Sequence, residues 1–135
     1  MEKLTPELYW LTLTCLASGL MWVAYILNRI AEMGLWPALR NPQPDTHPDA
    51  SWAFRAERAH ANAVENLVIF APLAIAVHIL GLSNETTSLA VMVYFFARIA
   101  HYLIYVFGVP VLRTIAFAVG ATCQLVLGLS VLGWM

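Results

Sequence analysis

Two arginines, an amide and a carboxylate share one face of a predicted helix in an otherwise apolar chain. They lie in the stretch RAERAHANAVENL, which leads directly into the almost wholly apolar VIFAPLAIAVHILGL. Their spacing of three, four and three positions aligns them in one stripe: Arg55, Arg58, Asn62 and Glu65. A charged residue within a membrane span costs about 2.5–3.5 kcal/mol or more on insertion scales, so such residues are rare and usually functional. The stripe is therefore the first candidate for a binding site.

A second polar stripe lies in the sequence RIAHYLIY. Its members recur at i, i+3, i+4 and i+7, the repeat of one helix face: Arg98, His101, Tyr102 and Tyr105. Arg113 follows at the beginning of the next apolar segment. If both stripes face one pocket, four arginines surround one main internal acid, Glu65. That excess of positive charge predicts an anionic ligand.

The residue types favour a small zwitterion as the ligand. Arginine binds carboxylates through two parallel hydrogen bonds, so several arginines favour a ligand with more than one carboxylate. Asn62 and Glu65 then remain to bind a cationic amine, and glutathione carries all of these groups. In the competing interpretation, Arg55 and Arg58 lie at headgroup level beside Glu57 and only hold the helix in register. No headgroup explains an acid as deep as Glu65.

The composition indicates an integral membrane protein. The 135-residue chain is 61% hydrophobic and 11% charged, whereas soluble domains carry about 25% charged residues. The net charge of −1 and the lack of a basic run argue against a nucleic-acid partner. The two cysteines, Cys15 and Cys123, both lie in apolar segments and predict neither a disulfide framework nor a metal site. The first apolar segment is too long for a cleavable signal peptide and lacks a small-residue cleavage site.

Four apolar segments are each long enough to cross roughly 30 Å of hydrocarbon as a helix. They predict a single all-α domain over residues 1–135, an integral membrane four-helix bundle with spans at about 8–30, 55–82, 87–106 and 113–134. Four prolines make the connection between the first two spans an irregular loop: Pro37, Pro42, Pro44 and Pro48. The short breaks GLSNET and FGVP separate the remaining spans.

The cations are distributed unevenly across the predicted membrane. Six arginines fall on the side of the long loop and of the turn between the third and fourth spans: Arg29, Arg40, Arg55, Arg58, Arg98 and Arg113. Lys3 lies on the other side, so the positive-inside rule places the long loop in the cytoplasm. The tryptophans are expected to anchor the helices at the membrane interface. His47 and His60 are expected to be solvated surface residues, and His78 is expected to form a structural hydrogen bond.

The two stripes resemble the hallmarks of the MAPEG family, the membrane-associated proteins of eicosanoid and glutathione metabolism. This family includes the microsomal glutathione transferases, leukotriene-C synthase and microsomal prostaglandin E synthase. Its second-helix pattern is similar to Arg-x-x-Arg-Ala-x-x-Asn-x-x-Glu-x-x-Pro-x-Phe, which here reads Arg55, Arg58, Ala59, Asn62, Glu65, Val68 and Phe70. A third-helix pattern, in which an Ala-Arg pair precedes a tyrosine near the end of the helix, resembles Ala97, Arg98 and Tyr105. The resemblance covers essentially the whole chain and implies a bacterial, inner-membrane member.

The resemblance implies a homotrimer that binds glutathione in a U shape between neighbouring subunits, near the cytoplasmic side. Residues that match the family's glutathione positions, or share their stripe, are Arg29, Arg55, Arg58, Asn62, Glu65, Arg98, His101, Tyr102 and Tyr105. Glu65 matches the position that binds the γ-glutamyl amine. Arg113 matches the arginine that stabilises the thiolate in the conjugating members, and Tyr105 is the alternative thiol activator.

The implied activity is that of a glutathione transferase, with glutathione as co-substrate and Arg113 and Tyr105 as catalytic residues. Its second substrate is a lipophilic electrophile, or a lipid hydroperoxide, that enters from the membrane lipid. Three departures from the family pattern bear on substrate choice more than on glutathione binding. Val68 stands where the family has proline, Pro72 appears four residues later, and Ala61 replaces an arginine found in one branch.

Two other classes of function stay open. One family member lacks catalysis, so a non-enzymatic lipid-binding or scaffold membrane protein of the same family is the main alternative. A small ion or solute carrier is compatible with charges inside the membrane. However, four spans lack the inverted repeats and broken helices that are typical of transporters.

Overall fold

The protein is a bundle of α-helices in a computed structural model that describes residues 3–135, with no strand in that range. In chain order the helices are α1 (Pro6–Leu20), α2 (Trp22–Met33), α3 (Leu35–Leu39), α4 (Ser51–Ile79), α5 (Glu85–Phe107) and α6 (Pro110–Val131). Four segments within this range are long and apolar enough to cross a membrane, namely α1 with α2, α4, α5 and α6. The predicted all-α bundle of four membrane-spanning segments is therefore confirmed.

Three of the spans begin at residues that suit a first helical turn: two have side-chain caps, and one begins with proline. Thr5 accepts a hydrogen bond from the backbone amide of Leu8 at the start of α1. Asn84 and Thr87 form a reciprocal capping box at the start of α5. Pro110 is the first residue of α6, where its missing amide hydrogen has no helical partner to lose.

The α4 helix presents small residues to the bundle and larger residues to its surroundings. Four buried alanines recur every three or four positions along α4: Ala53, Ala56, Ala59 and Ala63. Small residues at this spacing allow neighbouring helices to approach closely. The helix continues without a break through Pro72, although the proline removes one backbone hydrogen bond. This packing directs the outer part of the first polar stripe away from the bundle.

The apolar core occupies the half of the bundle that is remote from the α5–α6 turn. Phe70 of α4 and Tyr94 of α5 stack face to face, with ring centroids 3.7 Å apart and planes 9° from parallel. Leu11, Val91 and Leu127 pack around this pair from α1, α5 and α6. The polar residues of the two stripes lie between this core and the α5–α6 turn.

Glu7 is a fully buried carboxylate that was not predicted from the sequence. Its Oε1 accepts a hydrogen bond from the Thr87 hydroxyl at 2.6 Å, and its Oε2 accepts one from the Ser83 hydroxyl at 2.9 Å. These bonds connect the first turn of α1 to the start of α5. They lie at the opposite end of the bundle from the α5–α6 turn, so we assign Glu7 a structural role.

Glu7→Ala is expected to lower the free energy of unfolding by about 1–3 kcal/mol, because it leaves the fully buried Thr87 hydroxyl with a weaker set of partners. Detergent-induced unfolding measures this change. Glu85→Ala is the matched control, since Glu85 is an exposed acid in the first turn of α5 and contributes about 0.3–1 kcal/mol through the helix dipole. Equal losses in the two variants would contradict the assigned role of Glu7.

Candidate functional site

Two adjoining cavities lie where α4, α5 and α6 meet near the α5–α6 turn. The larger has a volume of about 270 Å³ and is lined by Asn62, His101, Tyr105, Arg113, Thr114 and Phe117. The smaller has a volume of about 120 Å³ and is lined by Arg55, Tyr105, Gly108, Val109, Pro110 and Arg113. Tyr105 and Arg113 line both cavities, so the two form one continuous polar depression.

Arg113 and Tyr105 form a stacked pair at the centre of this depression. The guanidinium carbon of Arg113 lies 4.4 Å from the centroid of the Tyr105 ring, a favourable cation–π distance. Gly108 ends α5 and Pro110 begins α6, so this short turn brings the last turn of α5 against the first turn of α6. The two residues that are predicted from the sequence to activate the thiol, Arg113 and Tyr105, are therefore in contact.

Arg98 connects α5 to the first polar stripe. Its Nη2 donates a hydrogen bond of 2.6 Å to Oδ1 of Asn62, and its side chain is only 3% exposed. A hydrogen bond from a charged donor is roughly twice as strong as one between neutral groups. The hydrogen bond between Arg98 and Asn62 thus connects the two stripes.

Arg55 completes the cluster from α4. Its Nε donates a hydrogen bond of 3.0 Å to the backbone carbonyl of Val106, in the last turn of α5. Carbonyls in a last helical turn lack helical partners, and a cation there also complements the helix dipole. The guanidinium packs against Gly108, where a β-carbon would lie 3.2 Å from Arg55 Cζ. Arg55 therefore supports the turn that positions Arg113.

Gly108→Ala is expected to destabilise the protein and to weaken any ligand binding in the depression. Gly108 has a φ of +78°, which costs an L-residue roughly 1–2 kcal/mol, and the new β-carbon also displaces Arg55. Gly81→Ala is the matched control, because Gly81 has a φ of +66° but no atom within 4 Å of an added β-carbon. Thermal unfolding should show a loss in both variants, and ligand binding should weaken only in Gly108→Ala. Unchanged binding in Gly108→Ala would contradict the role of Arg55.

The depression carries positive charge and buried polar atoms that lack partners. Arg55, Arg98 and Arg113 form no ion pair with a carboxylate within residues 3–135. Nε of Arg98 and Nδ1 of His101 are buried without a hydrogen-bond partner. Buried polar atoms in proteins are nearly always paired, so unpaired ones beside a cavity indicate a missing partner. The chemistry of the site fits an anionic ligand with several oxygen acceptors.

Arg58 and Glu65, by contrast, lie exposed on the outer face of α4. Their neighbours on that face include the exposed apolar residues Phe54, Val68 and Ile69. About 20 residues cross the hydrocarbon, and counting back from the end of α4 at residue 79 reaches about residue 60. Glu65 then lies about one helical turn inside the hydrocarbon, where an exposed charge is costly. The predicted stripe is therefore divided between the depression and this outer face.

Two further predicted site residues lie away from the depression. The Tyr102 hydroxyl donates a hydrogen bond of 3.0 Å to the backbone carbonyl of Met21, so this side chain packs against the α1–α2 junction. Arg29 lines a separate cavity of about 680 Å³ beneath the long loop, together with Arg40 and Thr46. Nε of Arg29 is also buried without a partner.

The histidines outside the stripes divide into confirmed and corrected predictions. His47 is exposed, and His78 forms the expected structural hydrogen bond, 3.0 Å from the Thr5 hydroxyl. His60, expected to be solvated, is instead partly buried and hydrogen-bonded. Its Nδ1 lies 2.6 Å from the hydroxyl of Tyr25 in α2, which packs along α4.

Two polar residues beside the depression were missed at the sequence level. Asn66 of α4 and Gln124 of α6 both hydrogen-bond within the bundle, and Gln124 is 9% exposed. The available signal was their amide chemistry, since a polar side chain inside a membrane span is uncommon and usually faces the bundle interior. Asn66 also lies four residues after Asn62, on the same helix face.

The sequence matches the model of the MAPEG family over residues 8–133, nearly the whole chain. The chain belongs to the MAPEG family. A search of curated proteins found no match. Membership of the MAPEG family agrees with the four-helix bundle, and with the four apolar spans it indicates an integral membrane protein. The family includes glutathione-dependent enzymes and also non-enzymes.

Proposed function

We propose that this protein is a membrane-bound glutathione transferase. It conjugates the thiolate of glutathione to lipophilic electrophiles or uses glutathione to reduce lipid hydroperoxides. The Arg113–Tyr105 pair carries this proposal, because it combines a guanidinium and a phenol hydroxyl at a cavity also lined by Asn62 and His101. Family membership supports the same reaction class.

Glutathione fits the charges of the depression and of the outer face of α4. Its two carboxylates pair with guanidinium groups, which bind carboxylates bidentately. Its amine pairs with Glu65, which is exposed within one subunit and lies inside the hydrocarbon region. A neighbouring subunit that covers this face would shield Arg58 and Glu65 from lipid and complete the site. We therefore place glutathione between subunits of a homotrimer.

The reaction begins with the thiol. A free thiol has a pKa of about 8.5, and its thiolate is the nucleophile. A guanidinium close to the sulfur stabilises the negative form and lowers that pKa. Arg113 supplies this charge, and the Tyr105 hydroxyl can donate a hydrogen bond to the same sulfur.

Both reactions then follow from attack by the thiolate. In conjugation, the sulfur forms a bond to carbon and the leaving group departs with its electron pair. In hydroperoxide reduction, the sulfur attacks the terminal peroxide oxygen, the oxygen–oxygen bond breaks, and the alkoxide takes a proton to give the alcohol. A second glutathione then reacts with the resulting sulfenic acid, giving glutathione disulfide and water. The exposed apolar surface of the helices lets a lipophilic substrate approach from the bilayer.

Glutathione binding and turnover in detergent test this function directly. Calorimetric titration should show saturable glutathione binding, and the purified protein should accelerate conjugation of chlorodinitrobenzene above the rate in buffer. Binding without acceleration would favour the non-enzymatic alternative. No glutathione binding would contradict the proposed function altogether.

The protein is expected to be a trimer in mild detergent, because four spans do not shield the charges on the outer face of α4. Native mass spectrometry measures the subunit number. Replacing Glu65 and Arg58 together by leucine should leave the bundle folded but change the proportion of trimer. A parent protein found only as a monomer would contradict a site shared between subunits.

A further inference from the structure

Four side chains form a continuous hydrogen-bonded relay from α6 across α4 to α5. Nε2 of Gln124 donates to the backbone carbonyl of Asn66 at 3.2 Å and, more weakly, to its Oδ1 at 3.4 Å. Nδ2 of Asn66 donates to the backbone carbonyl of Asn62 at 2.9 Å and to its Oδ1 at 3.3 Å. Nη2 of Arg98 donates to the same Oδ1 at 2.6 Å. The relay therefore converges on one atom, Asn62 Oδ1.

The orientation of each amide in this relay is determined by a partner with only one possible role. A guanidinium can only donate, so the Asn62 atom that faces Arg98 must be the oxygen. Backbone carbonyls can only accept, so the Asn66 and Gln124 atoms that face them must be the amide nitrogens. None of the three side-chain amides in the relay can be flipped without losing at least one of these hydrogen bonds.

The free end of the relay is the amide nitrogen of Asn62. Asn62 lines the larger cavity, and within residues 3–135 no group accepts a hydrogen bond from its Nδ2. Asn62 is also only partly buried, so its side chain is accessible from the cavity. It therefore offers two hydrogens to an oxygen acceptor in the cavity.

We propose that Asn66 and Gln124 are positioning residues that orient the Asn62 amide, with its nitrogen toward the cavity, to donate to a carbonyl or carboxylate oxygen of the ligand. The identity of that ligand as glutathione rests on the proposed function. The hydrogen bond from Arg98 fixes the Asn62 oxygen at one point, and by itself it would leave the amide free to tilt. The second donor, Asn66 Nδ2, approaches from the next turn of α4 and restricts that motion, and Gln124 in turn holds Asn66.

The burial of Gln124 is consistent with such a role. It is 9% exposed on a membrane-spanning helix, and burying an amide is costly unless its hydrogen bonds are satisfied. Leucine would occupy similar space in α6 without that cost. The relay gives the amide partners on another helix, at a distance from the Arg113–Tyr105 pair.

A ligand-independent test uses the side-chain amides of selectively ¹⁵N-asparagine-labelled protein. The chain has five asparagines, and the signal of Asn62 is identified by its loss in Asn62→Ala. Gln124→Leu is expected to shift the Asn66 and Asn62 amide signals and to leave those of Asn28 and Asn84 unchanged. An unchanged Asn62 signal would overturn the relay. Asn66→Ala serves as a second variant and should shift the same Asn62 signal if Gln124→Leu fails to fold.

A double-mutant cycle tests the effect on binding. Gln124→Leu should raise the Kd for glutathione by about 3- to 10-fold, the range of one hydrogen bond. In the Asn62→Ala background the same change should have no effect, because the amide that the relay orients is absent. Thr122→Val is the matched control, since Thr122 is exposed on α6 and bonds only to the carbonyl of Ala118 in its own helix.

The outcomes separate the relay from the proposed function. Equal losses of affinity from Gln124→Leu in the parent and in Asn62→Ala would assign Gln124 a general structural role and overturn the inference. If the parent does not bind glutathione, the proposed function fails. The amide signals of the unliganded protein then decide the relay by themselves.

Discussion

Arg113→Ala is expected to lower kcat/KM for glutathione conjugation by about 100-fold, the scale of removing one group that stabilises a reacting anion. The affinity for glutathione should change much less, because Arg55 still lines the depression and can bind a carboxylate. Stopped-flow conjugation and calorimetric titration measure the two quantities separately. Arg40→Ala is the matched control, since Arg40 is an exposed arginine of the long loop outside the depression.

The pH dependence of the conjugation rate shows whether Arg113 lowers the pKa of the bound thiol. If Arg113 lowers the thiol pKa, the parent's conjugation rate rises with pH through the lowered pKa and levels off above it. Arg113→Ala should move this rise to higher pH, toward the free thiol pKa of about 8.5. Each unit of displacement corresponds to about 1.36 kcal/mol. An unchanged profile with weaker binding would make Arg113 a carboxylate ligand.

Tyr105→Phe separates the two thiol activators. The ring stacks under the Arg113 guanidinium, so phenylalanine keeps the packing and removes only the hydroxyl. A small change in the pH profile is expected if the guanidinium dominates. A displacement of the profile in Tyr105→Phe alone would transfer the activating role to Tyr105.

Glu65→Gln is expected to weaken glutathione binding by about 1.5–3 kcal/mol, the scale of a hydrogen bond to a charged group. This corresponds to a Kd about 10- to 150-fold higher. The reason is that glutamine cannot pair its neutral amide with the ligand's ammonium group as a carboxylate can. Calorimetric titration measures the change.

Glu57→Gln is the control for this substitution, because Glu57 lies on the same helix but lines a cavity beneath the long loop. Its affinity for glutathione should match that of the parent. If Glu65→Gln binds glutathione as tightly as the parent does, the amine does not bind at Glu65.

The membrane spans could be predicted because hydropathy depends on local sequence alone. A run of about 20 apolar residues has few alternatives to a membrane helix, and Pro110 and Asn84 mark where helices begin. Spacing also placed Arg98 and Asn62 on the polar faces of their helices. Their mutual hydrogen bond was not predicted, because it depends on how α4 and α5 pack together.

The residues whose surroundings differ from the sequence-based prediction do so for geometric reasons. Successive residues on a helix are about 100° apart, so Tyr102 points well away from its neighbour His101, although both fit an i, i+3, i+4 pattern. The hydrogen bond of His60 to Tyr25 depends on which helix packs against α4, and the Gln124 relay depends on the register of α6. Neither is encoded in the periodicity of a single segment. Arg58 and Glu65 lie exposed on the outer face of α4, and the periodicity of one helix does not show which groups pair with them.

The ultraviolet absorbance of the glutathione thiolate tests the central claim most directly. Glutathione is titrated into the purified parent protein in mild detergent at neutral pH, where the free thiol is mostly protonated because its pKa is about 8.5. A depression that binds glutathione and stabilises its thiolate predicts an absorbance increase that saturates with the calorimetric binding curve and is lost in Arg113→Ala. Saturable binding with no thiolate absorbance in the parent would contradict the assignment of this protein as a glutathione transferase.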